Sequence, residues 1–179
     1  TGARAHSARP WMGRNAIHAA AGAIVTLAGW DADEIEVDGL VYREALNAVG
    51  ISGGVAGNVI PDEAEIVVNY RFAPSRSGTE AIALLREWFP DAELTVDDLV
   101  DGARPGLDAP LAQEFLAAVG GVALPKYGWT DVARFSALGI PAVNYGPGDP
   151  SLAHMDDERV PVEQIEACLA GLRAWLTSS

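Results

Sequence analysis

Apolar and polar side chains alternate along this chain with two different spacings, and each spacing predicts one kind of element. Residues 65–72 carry apolar side chains at every even position and Val67, Asn69 and Arg71 on the other face, which predicts a strand buried on one face. Helical spacing predicts helices over residues 13–28, 79–89, 109–119 and 161–176. Asp131 is placed to cap a shorter helix that runs to Leu138. Further strands are predicted over residues 42–52, 93–96, 122–124 and 142–145.

The predicted elements follow two different orders, which divides the chain near residues 101–106. Up to residue 96 the order is (β)αββαβ, that of a ferredoxin-like antiparallel sheet with helices on one face, and its first strand would lie mostly before Thr1. Later helices alternate with short apolar strands, as in a parallel sheet, although two strands are too few for an independent one. The expected fold class is therefore α/β, with an α+β domain over residues 1–102 and a portion of a parallel α/β domain over residues 103–179.

Charge and composition exclude several classes of partner. The formal net charge is -13, which argues against nucleic acid and against an anionic membrane surface. No apolar run approaches the length of a membrane span. The one cysteine, Cys168, excludes an intrachain disulfide and falls in a helical apolar pattern, as a core thiol does. We expect a cytoplasmic protein, with an acid-free and arginine-containing N-terminal stretch that could attract a small anion.

One loop has the composition of a chemical site. His154 follows the predicted strand 142–145 and a loop dense in glycine and proline, and three carboxylates come directly after it, those of Asp156, Asp157 and Glu158. Neutral imidazole is the commonest metal ligand, and neighbouring carboxylates can orient it. An ordinary surface loop with solvated acids explains the same residues. We favour solvated acids for Asp156 and Asp157 and leave Glu158 open.

Several motifs together resemble a known family. They are AHSARP at residues 5–10, GRNAI at 13–17, GNVIP at 57–61, YRF at 70–72, GWTD at 128–131 and GIPAV at 139–143, followed by His154. In this order they resemble the di-zinc amidohydrolases, a family that includes aminoacylases, zinc carboxypeptidases and succinyl-diaminopimelate desuccinylases. The segments 126–131 and 145–150 look most like the desuccinylase branch. The resemblance spans nearly the whole chain.

The resemblance implies an organisation and a reaction. Residues 1–102 would be the lid and dimerisation domain, and residues 103–179 the C-terminal segment of the catalytic domain, without the half that carries most metal ligands and the glutamate base. It implies amide hydrolysis with two zinc ions (cobalt is possible), a small anionic N-acyl amino-acid substrate, and a homodimer formed through the lid. Nucleic acid and membranes are not expected partners.

The resemblance also assigns roles to individual residues. His6 would reach into the partner subunit's site and stabilise the oxyanion, and His154 would bind one zinc. Arg71 would bind a substrate carboxylate, with a polar contact from Asn58 nearby. Three further positions are assigned to the substrate or to the partner's site, namely Gly128, Thr130 and Arg9, and Arg134 lies near the first two. Trp129 departs from the small residue of some relatives, and Asp131 is equally well explained as a helix cap.

Three functions stay open from the sequence. The first is a succinyl-diaminopimelate desuccinylase, and the second is another amidase of the family, an aminoacylase or a carboxypeptidase. The third is a non-catalytic dimerisation or binding module, which suits the chain alone because His154 by itself cannot assemble a four-ligand zinc site. We therefore expect negligible amidase activity and no tightly bound zinc for residues 1–179 by themselves.

Overall fold

A computed structural model describes residues 1–177 of the chain, which form two compact units. The first unit comprises Thr1–Ile35 and Arg43–Leu99, and the second comprises Glu36–Tyr42 and the residues from Val100 onward. The helices are α1 (Ala16–Ala28), α2 (Gly78–Trp88), α3 (Pro110–Val119), α4 (Val132–Ala137) and α5 (Val162–Thr177). The strands are β1 (Glu34–Val37), β2 (Leu40–Arg43), β3 (Ala45–Gly53) and β4 (Ala64–Arg71).

The first unit is built on an antiparallel pair of strands covered by helix α1. Strands β3 and β4 pair from Ala45 opposite Arg71 to Gly53 opposite Ala64, with a bulge between Ala48 and Gly50. Burial alternates along β4 as the sequence predicts, and α1 packs against both strands. The rings of Trp30, Tyr70 and Trp88 meet edge to face at centroid distances of 5.6–6.4 Å. This arrangement joins helix α2 to the inner face of the sheet through an aromatic cluster.

Polar side chains set the starts of the first two helices. The predicted helix 13–28 begins three residues later, at Ala16, because the Asn15 side chain accepts hydrogen bonds from the N–H groups of Ile17 and His18. Helix α2 begins one residue before the predicted start, at a capping box in which Ser77 and Glu80 bond each other reciprocally. Both helices are confirmed, with their boundaries moved to the capping residues.

A hairpin that the sequence reading missed occupies residues 34–43. Asp38 and Gly39 have φ angles of 50° and 81°, the left-handed conformations that a two-residue hairpin turn requires. The predicted strand 42–52 is accordingly split, because β2 ends at Arg43 and β3 begins at Ala45. The Asp-Gly pair was the available sequence signal for this turn.

Three predicted short strands are wrong for the described residues. Within residues 1–177, no strand pairs with residues 93–96, 122–124 or 142–145, and the two sheets present are both two-stranded. The segment 142–145 is not buried either, since Val143 is 40% exposed. An extended apolar segment becomes a strand only when another backbone lies beside it, which spacing along the sequence does not reveal. The mixed α/β class itself is confirmed.

The second unit has its core between helices α3 and α5. Phe115 is buried and contacts the rings of Tyr145 and Trp175 edge to face, at centroid distances of 5.1 and 5.2 Å. Helix α4 follows Asp131 as predicted, but the carboxylate of Asp131 makes no capping hydrogen bond and lies 3.6 Å from the Nε of Arg134. Among residues 1–177, no helix is both long enough and apolar enough to cross a bilayer.

Candidate functional site

Two motifs that lie far apart in the sequence meet at His6. An antiparallel bridge joins His6 to Val59, and the Ser7 N–H donates to the carbonyl oxygen of Asn58 at 2.9 Å. The Ile60 N–H donates to the carbonyl of Ala5, also at 2.9 Å. The structure therefore brings together His6 and Asn58, two of the residues that the sequence assigns to the site.

The His6 imidazole is held in one tautomer. Its Nδ1 accepts a hydrogen bond from the Ala8 N–H at 3.0 Å, so in the neutral ring the proton lies on Nε2. The Arg9 N–H donates to the His6 carbonyl at 2.8 Å and closes the turn. Because the side chain is exposed, Nε2–H is available to donate to a ligand. The same turn holds Arg9 next to His6 through the backbone, while the Arg9 side chain is exposed.

The segment that leads to His6 is fixed at two points. Arg4 Nε contacts Asp62 Oδ1 at 2.7 Å, and this hydrogen bond holds the pKa of Asp62 below its ordinary value. A Cβ on Gly2 would come within 2.9 Å of the backbone nitrogen of Ala16, so only glycine permits this close approach. The position of His6 is therefore set by these contacts before it and by the backbone hydrogen bonds of Ser7 and Arg9 after it.

Arg71 stands at the other end of strand β4. It is the last residue of the strand, it faces away from the aromatic cluster, and it is exposed. Seven strand residues at about 3.3 Å each place it about 23 Å from Ala64, where β4 leaves the turn that holds Asn58. One small substrate within a single chain cannot reach both Arg71 and the His6 turn.

A buried carboxylate that the sequence analysis missed supports the end of β4. Glu44 is 2% exposed. Its Oε2 accepts from the Tyr70 hydroxyl at 2.8 Å, and its Oε1 accepts from the Ala73 N–H at 2.8 Å and from Arg76 Nε at 3.2 Å. Burial, followed by the hydrogen bond to Glu44, raises the pKa of Tyr70. Alternation was the available signal, because Glu44 lies between the buried residues Tyr42 and Leu46 on the same side of the predicted strand.

The His154 loop does not gather a set of metal ligands in the described residues. His154 is exposed, has a φ of 68°, and donates its backbone N–H to Glu158 Oε2 at 3.2 Å. Asp157 pairs with Arg159 at 2.8 Å, and Asp156 is exposed. Within residues 1–177, no group of three His, Cys, Asp or Glu side chains is placed to hold a metal ion. By themselves these residues do not form a metal centre.

The remaining predicted site residues lie on the loop before helix α4. Asn144 Nδ2 donates to Thr130 Oγ1 at 3.1 Å, which ties this loop to the segment 142–145. The Arg134 guanidinium lies 5.4 Å from the centre of the Trp129 ring. Gly128 is exposed beside them. Asn144 is thus, after Glu44, a second polar residue that the sequence analysis did not single out. The sequence feature that could have indicated it is an amide side chain inside an apolar run.

Comparison with known proteins identifies the family. Residues 1–96 match the peptidase dimerisation domain of the M20 group. The chain is 53% identical, over 98% of its length, to a Mycobacterium tuberculosis protein provisionally named succinyl-diaminopimelate desuccinylase DapE. It is 48% identical, over 98% of its length, to the succinyl-diaminopimelate desuccinylase of Corynebacterium glutamicum. These matches cover 50% and 49% of the two proteins, so the chain spans about half the length of the curated relatives it matches.

Solved structures agree on the fold. The aminopeptidase PepT of Bacillus cereus superposes with a TM-score of 0.71 at 19% identity, covering 99% of this chain and 50% of that one. A tripeptidase from Staphylococcus aureus gives a TM-score of 0.69 at 22% identity, covering 97% of this chain and 48% of that one. The chain belongs to the M20 peptidase family and carries its dimerisation domain.

Proposed function

We propose that the chain is part of a metal-dependent amide hydrolase, a succinyl-diaminopimelate desuccinylase. The reaction takes N-succinyl-LL-diaminopimelate and water to succinate and LL-diaminopimelate, a step of lysine and diaminopimelate synthesis in the cytoplasm. The identity of 53% and 48% to proteins of that name, over 98% of the chain, is the observation that carries the proposal. In this proposal residues 1–102 act as the lid and residues 103–179 belong to the catalytic domain.

The lid residues bind the substrate and stabilise charge. The His6 Nε2–H donates to the oxygen that becomes negative when water adds to the amide carbon, and Asn58 adds a polar contact beside it. Arg71 binds a substrate carboxylate through its guanidinium fork. The length of β4 between them supports an arrangement in which His6 and Arg9 serve the partner subunit's site while Arg71 serves its own.

The second unit contributes contacts near the amide and one metal ligand. Gly128 and Thr130 lie on the loop before α4, where the Thr130 hydroxyl is already oriented by Asn144. His154 supplies one ligand to the metal, zinc or cobalt. Because the described residues hold no cluster of three ligands, we assign them this single metal ligand together with substrate binding and hydrogen-bond donation.

The whole protein tests this proposal directly. Succinate release from N-succinyl-LL-diaminopimelate should exceed hydrolysis of N-acetyl amino acids and of dipeptides in kcat/KM, and a chelator should abolish it until zinc or cobalt is restored. His6→Ala should lower kcat by about a hundredfold, the typical loss of one oxyanion donor. His18→Ala, on the exposed surface of α1, is the matched control. Turnover that survives complete metal removal, or a preference for dipeptides, contradicts the proposal.

A second candidate function is favoured by one observation, the match of residues 1–96 to a dimerisation domain. In that case the 179-residue chain acts as a binding module, and its partner is a second copy of itself. Light scattering should then give twice the mass of the chain at micromolar concentration. A monomer at all concentrations argues against this role for the isolated chain.

A further inference from the structure

The exposed face of strand β4 ends in two polar side chains, and the proposed function uses only one of them. Asn69 and Arg71 are both exposed, on the side of the strand away from Tyr70. In the register of the sheet, Asn47 lies directly opposite Asn69 and Ala45 lies opposite Arg71. Directly paired residues share a face, so Asn47 and Asn69 stand side by side next to Arg71. We call Asn47, Asn69 and Arg71 the polar patch.

The spacing of the polar patch suits one small molecule. Paired residues are separated by about 5 Å across two strands, and next-but-one residues by about 7 Å along one strand. Two side-chain amides and a guanidinium are therefore within reach of the two charged groups on one amino-acid carbon. The small methyl group of Ala45, opposite Arg71, leaves room beside the guanidinium.

The polar patch is open to a ligand. Among residues 1–177, no ion pair or hydrogen bond engages the Arg71 guanidinium or the side-chain amides of Asn47 and Asn69. Glu65, the other charged residue on this face of β4, lies at the far end of the strand. A ligand therefore does not compete with an internal partner for these groups.

The opposite face of the strand holds the polar patch rigid. Tyr70 lies between Asn69 and Arg71, and its hydroxyl donates to the buried Glu44 at 2.8 Å. The same carboxylate accepts the Ala73 N–H at 2.8 Å, just beyond Arg71. Because the strand is fixed on both sides of Arg71, little conformational freedom is lost when the patch binds a ligand.

The chemistry of these three groups matches a zwitterion. A guanidinium binds a carboxylate with two parallel hydrogen bonds. An asparagine amide offers a carbonyl oxygen to an ammonium group and an NH₂ to a carboxylate. We infer that the polar patch binds the free α-amino-acid end of the substrate. This inference rests on the proposed function and identifies the part of the substrate that the patch holds. The carboxylate of that end lies on Arg71, and its ammonium lies on the amide oxygens of Asn47 and Asn69.

The 179-residue chain allows a binding test that needs no activity. In NMR spectra, LL-diaminopimelate should shift the side-chain NH₂ signals of Asn47 and Asn69 and the Nε–H of Arg71, and the shifts should saturate. Pimelate has the same carbon chain and both carboxylates but no ammonium group. It should bind about tenfold more weakly, since it forms no charged hydrogen bond to the amides. Equal binding of the two compounds, or silent asparagine signals, overturns the inference.

Variants of the whole protein provide the second test. Asn69→Leu and Asn47→Leu should each raise KM for N-succinyl-LL-diaminopimelate by about tenfold and leave kcat within about twofold. N-succinyl-2-aminopimelate lacks the remote ammonium, so its KM should not change. Glu65→Gln, on the same face of β4, is the matched control, and circular dichroism checks folding. If Asn69→Leu raises KM equally for both substrates, the asparagine amides do not bind the ammonium group, and the inference fails.

The two tests separate this inference from the proposed function. If the whole protein releases no succinate while the chain still prefers diaminopimelate to pimelate at the polar patch, the proposed function fails and the site stands. If succinate is released but the three side chains do not respond to diaminopimelate, the inference alone fails.

Discussion

At the scale of single residues, the buried Glu44 carboxylate joins three segments of the first unit. It is a carboxylate with 2% exposure that accepts three hydrogen bonds, from a phenol, a backbone amide and a guanidinium. A buried charge is tolerated only when its lone pairs are satisfied in this way. The three donors come from the end of β4 and the loop to α2, so a single side chain ties these segments to the start of β3.

Replacing this carboxylate should measurably destabilise the chain. Glu44→Gln keeps the shape but turns an NH₂ group toward one of the three donors, so the free energy of unfolding should fall by about 2 kcal/mol. Urea denaturation followed by tryptophan fluorescence measures it, because Trp30 and Trp88 contact Tyr70. The control is Glu65→Gln on the exposed face, which should change stability by less than about 0.5 kcal/mol. Equal effects of the two variants contradict the buried network.

Tyr70 makes the free energy of unfolding depend on pH in the alkaline range. Its pKa is raised above the ordinary value of 10.0 by burial and by Glu44. A raised pKa means that the unfolded state loses the phenolic proton first, so the stabilisation is complete below the unfolded pKa and is lost as the pH rises above it. Between about pH 9 and about pH 11, the urea midpoint should therefore fall more steeply for the wild type than for Tyr70→Phe. Parallel curves for the two proteins would rule this out.

At the scale of elements, the starts of helices α1 and α2 are set by local side-chain hydrogen bonds rather than by apolar spacing. Ser77 accepts the Glu80 N–H at 3.3 Å, and its own N–H donates to the Glu80 carboxylate at 2.8 Å. The bond from the Ser77 N–H, with that from its hydroxyl, lowers the pKa of Glu80. The motif was readable in advance as Ser77 followed three residues later by a glutamate.

Removing this cap should weaken helix α2 by a predictable amount. Ser77→Ala should lower the free energy of unfolding by about 1 kcal/mol, because the Glu80 N–H loses its acceptor and the Glu80 carboxylate loses the hydrogen bond from the Ser77 hydroxyl. Thermal or urea unfolding measures the change. Ser75→Ala, two residues earlier and exposed, should have no measurable effect, and a loss of similar size there would show that the cap is not the cause.

At the scale of the whole molecule, the chain divides into two units and brings its candidate residues into several places. His6 and Asn58 meet at one end of the first unit, Arg71 stands at the other end of β4, and His154 lies in the second unit. Family membership is shown for residues 1–96 by the dimerisation domain. In the proposed function the site therefore depends on assembly, because the proposed dimer would place a His6 near substrate bound by the partner subunit.

Assembly has a consequence for the polypeptide of residues 1–179 alone. Since the described residues form no cluster of three metal ligands, it should hydrolyse N-succinyl-LL-diaminopimelate negligibly and bind zinc more weakly than micromolar. Isothermal calorimetry measures the zinc affinity, and any weak binding should decrease in His154→Ala. Submicromolar affinity in the unmodified chain would contradict the prediction.

The sequence by itself determined the elements whose cause is local. Alternation in residues 65–72 specified the inner and outer faces of β4, helical spacing specified α1, α2, α3 and α5, and the order of motifs indicated the family. These features follow from side chains a few residues apart, or from a pattern that survives in the sequence. The position of Arg71 on an exposed face was predictable for the same reason.

Only the tertiary structure decided the features that depend on a second segment. The three short strands failed because a strand needs a neighbouring backbone, and alternation says nothing about which backbone is present. The Glu44 network, the pairing of Asn47 with Asn69, and the contact of the His6 turn with the Asn58 carbonyl all join residues far apart in the chain. Register and long-range hydrogen bonds are fixed when the chain packs, so the sequence named the groups and the fold decided which of them meet.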